Sequence, residues 1–205
     1  MNFTKFPRRN YLQGPTPIEF LPSLSKALGG TVNLYIKRDD LLPGSGGGNK
    51  TRKLEFCIAD ALDQGADAII TCGAVQSNHA RLTAAWSAKE GLDCHLILEE
   101  RVKGSYKAEA SGNNFLFELL DVKSIGVVAG GSDMMAEMGK KADALKADGK
   151  NPTLYPAAPR IRSAPRDTRF VPRRPWRSLT ICASLSTTYS FLPDQPEPMP
   201  VWWSA

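Results

Sequence analysis

Ser45-Gly46-Gly47-Gly48-Asn49-Lys50-Thr51-Arg52-Lys53-Leu54-Glu55 is the stretch from which the rest of the chain is read. Small residues lead through Asn49 into a lysine, and two more cations follow. Beyond them the apolar spacing predicts a helix over about residues 49–64, with Leu54, Cys57, Ile58 and Leu62 on one face. Lys50 therefore stands at a helix start, among unpaired N–H groups and the positive end of the dipole. A cation is disfavoured in that field, and the neutral amine is the nucleophile that Schiff-base chemistry requires. The same residues also suit a glycine-rich loop with a solvated lysine. A phosphate-binding P-loop nearly fits from Gly44 to Thr51, but Asn49 occupies the place of its second glycine. Nor is Arg38-Asp39-Asp40-Leu41-Leu42-Pro43 an apolar strand running straight into such a loop.

Upstream, Gly14-Pro15-Thr16-Pro17 predicts a turn or extended segment, and residues 22–28 predict a short helix ending at Gly29-Gly30. Residues 31–37 alternate as a strand. Downstream, Ala68-Ile69-Ile70-Thr71-Cys72 and Cys94-His95-Leu96-Ile97-Leu98 are continuous apolar runs that suit strands buried on both faces. A helix to about Glu90 follows Gly73-Ala74-Val75-Gln76-Ser77-Asn78-His79, and another lies near residues 113–120. Residues 124–129 predict a strand, and 132–148 a helix with Met135, Met138 and Ala142 inward. Strands alternating with helices mean βαβ units and a parallel sheet, an α/β fold. Ligands of such sheets bind beyond the strands' carboxyl ends, beside helix N-termini. Lys50 and Ser77-Asn78 both fall at loop-to-helix junctions. Ser77 and Asn78 would also be favoured there as simple helix caps, and His79 and His95 as satisfied polar residues at the edge of the core.

At 205 residues, with 42% hydrophobic and 23% charged residues, the chain has the composition of a globular protein. No apolar run reaches membrane-spanning length, and the N-terminus has no signal-like apolar region, so the cytoplasm is the expected location. Cys57, Cys72, Cys94 and Cys182 lack metal-ligand spacing, so no metal site is expected. Most of the net charge of +5 arises after Tyr155, where seven arginines face only Asp167, Asp194 and Glu197, a surplus of four, with no motif for nucleic acid beside them.

Gly47-Gly48-Asn49-Lys50-Thr51-Arg52-Lys53-Leu54-Glu55-Phe56 together with Gln76-Ser77-Asn78-His79 resembles the D-cysteine desulfhydrase and 1-aminocyclopropane-1-carboxylate deaminase family. Lys37-Arg38-Asp39-Asp40 and Pro15-Thr16-Pro17 support the likeness, which covers about residues 1–152. The resemblance implies a three-layer sandwich of the tryptophan synthase β-like kind and pyridoxal 5′-phosphate as cofactor. It implies that Lys50 condenses with the cofactor aldehyde and then serves as base at the substrate Cα. Lys53 would contact the phosphate, and Asn78 the ring hydroxyl. Ser77, Asn78 and His79 would line the substrate side, with Ser77 handling protons. The implied reaction is α,β-elimination of D-cysteine to pyruvate, sulfide and ammonia. His79 follows Ser-Asn as in desulfhydrase-like members, while 1-aminocyclopropane-1-carboxylate and L-cysteate remain alternative substrates. The implied partner is a small amino acid, with no nucleic acid or membrane, and the full-length family forms homodimers or larger assemblies.

The likeness stops near Pro152. All 17 glycines lie at or before Gly149, while nine of the 15 prolines and three of the four tryptophans follow Tyr155. Residues 153–205 thus read as an aberrant, disordered proline- and arginine-rich tail, and the fold as incomplete. A shifted reading frame accounts for this. Pro156-Ala157-Ala158 and Arg160 to Asp167 then encode a glycine-rich family segment, and Leu192 to Ser204 encode a sequence resembling the family's phosphate loop. A chain without that loop is expected to retain cofactor weakly and to dissolve poorly. The reading of another class is an inactive truncated fragment.

Overall fold

The structure, a computed structural model, describes residues 6–156 and, as backbone, the strands at 179–182 and 188–192. They form two units: residues 6–11 with 52–156, and residues 12–51 with the two later strands. In chain order the elements are strand β1 (Ile18–Phe20), helix α1 (Pro22–Ala27), strand β2 (Asn33–Lys37), helix α2 (Thr51–Asp63), strand β3 (Ala68–Ala74) and helix α3 (Asn78–Glu90). Then come β4 (Asp93–Glu100), α4 (Asn113–Leu119), β5 (Ser124–Ala129), α5 (Met134–Ala147), β6 (Pro152–Tyr155), β7 (Leu179–Cys182) and β8 (Thr188–Leu192).

The larger unit is a parallel sheet in the order β5-β4-β3-β6. Strand β3 lies inside it, which is why Ala68-Ile69-Ile70-Thr71-Cys72 is buried without interruption. Its side chains part with period two. Ile69 packs with Leu54, Cys57, Ile58, Leu82 and Trp86 from α2 and α3. Ala68, Ile70 and Cys72 pack with Met138, Ala142 and Leu145 from α5. Helices thus cover both faces, giving the three-layer α/β sandwich that the sequence predicts. Leu54, Ile58, Ile69 and Leu82 are wholly buried, each contributing ~1.5–3 kcal/mol of transfer free energy. A third cluster joins α3, β4 and α4 through Ala80, Ala84, Leu96, Leu98 and Phe117.

One helix face differs from expectation. Met135 is 52% exposed, and the inward stripe of α5 is Met138, Ala142 and Leu145. Met135 lies in the first turn, where Asp133 caps the helix by accepting from the backbone N–H groups of Met135 and Ala136. Strand β6 runs past the expected boundary at residue 152, pairing Ala68 with Pro152 through to Thr71 with Tyr155.

In the smaller unit the sheet order is β1-β2-β8-β7, antiparallel throughout. Residues 153–155 of β6 and strands β7 and β8 fall within the stretch read as a tail; beyond these and Pro156, that stretch lies outside the described residues, as do both segments of the shifted-frame reading apart from Pro156 and Leu192. No helix among the described residues is long and apolar enough to cross a membrane.

Candidate active site

Lys50 ends a loop of the smaller unit that is built from positive-φ backbone. Gly47 sits at φ +75°, and a Cβ there would lie 2.0 Å from the Asp40 carbonyl oxygen, so only glycine fits. The loop closes on itself through Gly47 N–H to Gly44 O at 2.8 Å and Thr51 Oγ1 donating to Pro43 O at 3.1 Å. Thr51 is buried and opens α2 immediately after Lys50. A short 3-10 turn, Asp39–Leu41, rather than a strand, leads toward the loop, unlike a P-loop. Around it Thr16 donates to Asp39 at 2.8 Å, Lys37 Nζ donates to Thr16 O, and Arg38 pairs with Glu19 and Asp40.

In the larger unit, Lys53 lies half-buried in the first turn of α2. Burial pushes the Cys57 thiol, one turn on, up to about 12, and the charge of Lys53 opposes that rise.

The other candidates follow the carboxyl end of β3. Gly73 brings the chain close beneath Ser77, where a Cβ would meet Ser77 Oγ at 2.4 Å. Gln76 then takes the left-handed conformation at φ +65°, at a cost of ~1 kcal/mol for a residue with a side chain. Ser77 is the N-cap of α3, its Oγ accepting from Ala80 N–H at 3.2 Å. The capping role and the candidate site therefore coincide in one residue. Asn78, the first helical residue, accepts at Oδ1 from Asn113 Nδ2 at 3.0 Å and Arg81 Nη2 at 3.3 Å. Burial pushes the Arg81 guanidinium down from its ordinary value.

His79 is buried beneath Ser77-Asn78 rather than turned outward. Its Nε2 is 2.9 Å from Thr71 Oγ1, and its Nδ1 is 3.4 Å from Thr83 Oγ1. Thr71 gives its single hydroxyl proton to Tyr155 O, so Nε2 carries the proton in the contact between them. Thr83 likewise gives its proton to His79 O at 2.9 Å. His95 is also buried, with Nδ1 2.8 Å from Ser124 Oγ.

Ser77, Asn78 and His79 thus share one helix start in the larger unit, and Lys50 the glycine loop of the smaller. Sequence reasoning missed Thr71, Arg81 and Asn113, which hold those residues in place. Gly112 before α4 and Asn113 at its first position were the available signal.

Known proteins resemble this chain over about three quarters of its length. The family model described as "Pyridoxal-phosphate dependent enzyme" matches residues 10–159. The D-cysteine desulfhydrase of Salmonella typhimurium is 44% identical over 156 residues, covering 76% of this chain and 47% of the relative. That of Klebsiella pneumoniae is 44% identical over 158 residues, with the same coverage of 76% and 47%. A crystal structure of an ACC deaminase homologue superposes with a TM-score of 0.65 at 39% identity, covering 75% of this chain and 45% of that one. The chain spans about half the length of the curated relatives it matches.

Proposed function

The chain belongs to the pyridoxal-phosphate dependent enzyme family, and on that premise we propose that it carries the lysine-bearing part of a lyase site acting on D-cysteine. The residues fit the cofactor in their chemistry. Lys50 offers an amine to an aldehyde, Lys53 a cation to a phosphate, and Asn78 N–H groups to a ring oxygen, its own oxygen being engaged by Asn113 and Arg81. Bound pyridoxal 5′-phosphate supplies the electron sink for the pair released at the substrate Cα.

The chain's own residues supply the rest. Lys50 would hold the cofactor and, as a free amine, would take the proton from the substrate Cα. Ser77 and its neighbours would hold the substrate carboxylate while the Ser77 oxygen keeps the Ala80 N–H, and Ser77 would be the residue that handles protons. His79 serves the substrate side by fixing the turn above it through Thr71 and Thr83. The Cα–H and Cβ–S bonds break, the sulfur departs as sulfide, and water releases ammonia to leave pyruvate.

The observation that carries this reading is the 44% identity to D-cysteine desulfhydrases together with a family match over residues 10–159, which hold Lys50, Lys53, Ser77 and Asn78. The test is turnover of D-cysteine by the chain with added cofactor, beside L-cysteine, 1-aminocyclopropane-1-carboxylate and L-cysteate. Sulfide from D-cysteine in excess of that from L-cysteine supports it. Ammonia from the cyclopropane substrate or sulfite from L-cysteate, without sulfide from D-cysteine, replaces it with one of those activities.

The coverage of 47% of each relative favours a second reading, an inactive fragment. No turnover of any of the four substrates, together with a nucleotide sequence in which one base shift near codons 150–160 restores a family-like frame, would establish that reading.

A further inference from the structure

The start of α3 is clasped by a turn more than thirty residues away in the chain, and the polarity of that clasp is fully determined. Gln76 Nε2 donates to Ser111 O at 2.9 Å, and Gln76 Oε1 accepts from Asn113 N–H at 2.7 Å. A carbonyl can only accept and a backbone N–H can only donate, so the Gln76 amide has one possible orientation. Gly112 makes room for it. Its φ is +77°, and a Cβ there would sit 2.7 Å from Gln76 Oε1. The Asn113 side chain returns the contact, with Nδ2 donating to Gln76 O at 2.6 Å and to Asn78 Oδ1 at 3.0 Å. The first acceptor is a backbone carbonyl, so the atom facing it must be the nitrogen of Asn113. Its second proton then requires the oxygen of Asn78 on the other side. Arg81 Nη2, which can only donate, reaches the same oxygen at 3.3 Å. Two independent donors thus set the Asn78 amide.

We propose that Asn113 is a positioning residue of the candidate site: it holds the Asn78 amide so that Asn78 meets a ligand through N–H and not through its oxygen, which suits an ionised phenolic oxygen such as that of the pyridoxal ring. The ligand rests on the proposed function above; the clasp rests on the hydrogen bonds alone. Asn113 acts through Asn78 and Gln76, on the strained turn that also sets Ser77.

The test separates the two parts. In the cofactor-free chain, nitrogen-edited spectra read the Asn78 side-chain NH2 pair directly. That pair shifts in Asn113→Ala and Asn113→Asp and stays in place in Ser111→Ala, whose contribution is a backbone carbonyl. An Asn78 pair unmoved by both Asn113 variants overturns the clasp. With ligands, affinity is compared for pyridoxal 5′-phosphate and its 3-deoxy analogue, which lacks the ring oxygen. The wild-type chain prefers the natural cofactor by about tenfold or more, the worth of one hydrogen bond to a charged group. In Asn113→Asp the preference falls to within about twofold, because the new carboxylate can only accept, draws the Asn78 NH2 group toward itself and turns the amide against the weaker hold of Arg81 at 3.3 Å. A preference undiminished in Asn113→Asp overturns the positioning role. A wild-type chain that binds both aldehydes equally, with the spectral coupling intact, overturns the phenolic ligand and leaves the clasp standing.

Discussion

Replacing Glu55 should cost the chain a large part of its stability. This carboxylate is wholly buried on α2 and holds the N-terminal segment against the helix. Arg8 donates to it through Nε at 2.6 Å and Nη2 at 2.5 Å, and Tyr11 N–H donates at 2.9 Å. The Glu55 carbonyl also accepts from Arg9 N–H at 2.9 Å. The segment is fixed further along, where the Tyr11 ring stacks on Trp86 at 3.9 Å and its hydroxyl donates to Glu90 at 3.0 Å. In Glu55→Ala the Tyr11 N–H is left buried without its acceptor, at ~1–3 kcal/mol. Removing one partner of a fully buried ion pair costs ~3–5 kcal/mol, but Arg8 is 35% exposed and recovers water, so its share is smaller. The two together give ~2–4 kcal/mol, against a typical domain stability of ~5–15 kcal/mol. Glu55→Gln keeps an oxygen for Tyr11 but loses the charge and sets an NH2 group against the Arg8 donors, which can turn to water, for about 1–2 kcal/mol. Urea unfolding of the cofactor-free chain measures both, and a slope of about 2 kcal/mol per molar places the alanine midpoint ~1–2 M lower. An alanine loss below about 0.5 kcal/mol, or a glutamine loss equal to that of alanine, refutes the reasoning.

Gly47→Ala should be far worse than Gly30→Ala: both residues have positive φ, but the first Cβ would press on the Asp40 and Leu42 carbonyls while the second meets nothing within 4 Å. Unfolding midpoints should show only the ~1 kcal/mol strain at Gly30 and a greater loss at Gly47. Burial, aided by Lys141, pushes the His95 imidazole below its ordinary value of 6.5. The unfolded chain then takes up that proton first, so the contribution is present above 6.5 and is lost as pH falls through 6.5 toward the folded value. Urea midpoints at about pH 7.5 and about 5.5 should lie closer together in His95→Gln than in wild type. Burial pushes the Cys57 and Cys94 thiols up to about 12, so a thiol reagent at about pH 8 should label them only on unfolding, as peptide mapping would show.

The parallel sheet was legible because β3 and β4 are covered on both faces and so read as unbroken apolar runs. Strand β5 was also legible, at its full extent of Ser124–Ala129. Strand β1 was not: its three residues are all exposed and lie between Pro17 and Pro22, with no alternation to find. Strand β6 opens on Pro152 and gains its partners from β3, far away in sequence, so composition pointed to a tail where the sheet continues. Helical spacing placed Met135 on the inward stripe with Met138, but spacing does not say where the covering sheet ends. At the site, Ser77-Asn78 was legible as a helix start, since its chemistry is local. The pairing of Asn78 with Asn113 spans 35 residues, and no local pattern encodes it. For His79, sequence left an interior role and a substrate role open. Its burial between Thr71 and Thr83 is a consequence of β3 packing beneath α3.

The decisive group is the amine of Lys50. The chain is mixed with pyridoxal 5′-phosphate, reduced with borohydride, digested and mapped by mass. A pyridoxyl label on Lys50, lost in Lys50→Ala while the unfolding midpoint is kept, is the predicted result. An unlabelled Lys50, or a label spread over surface lysines and unchanged in Lys50→Ala, would contradict it.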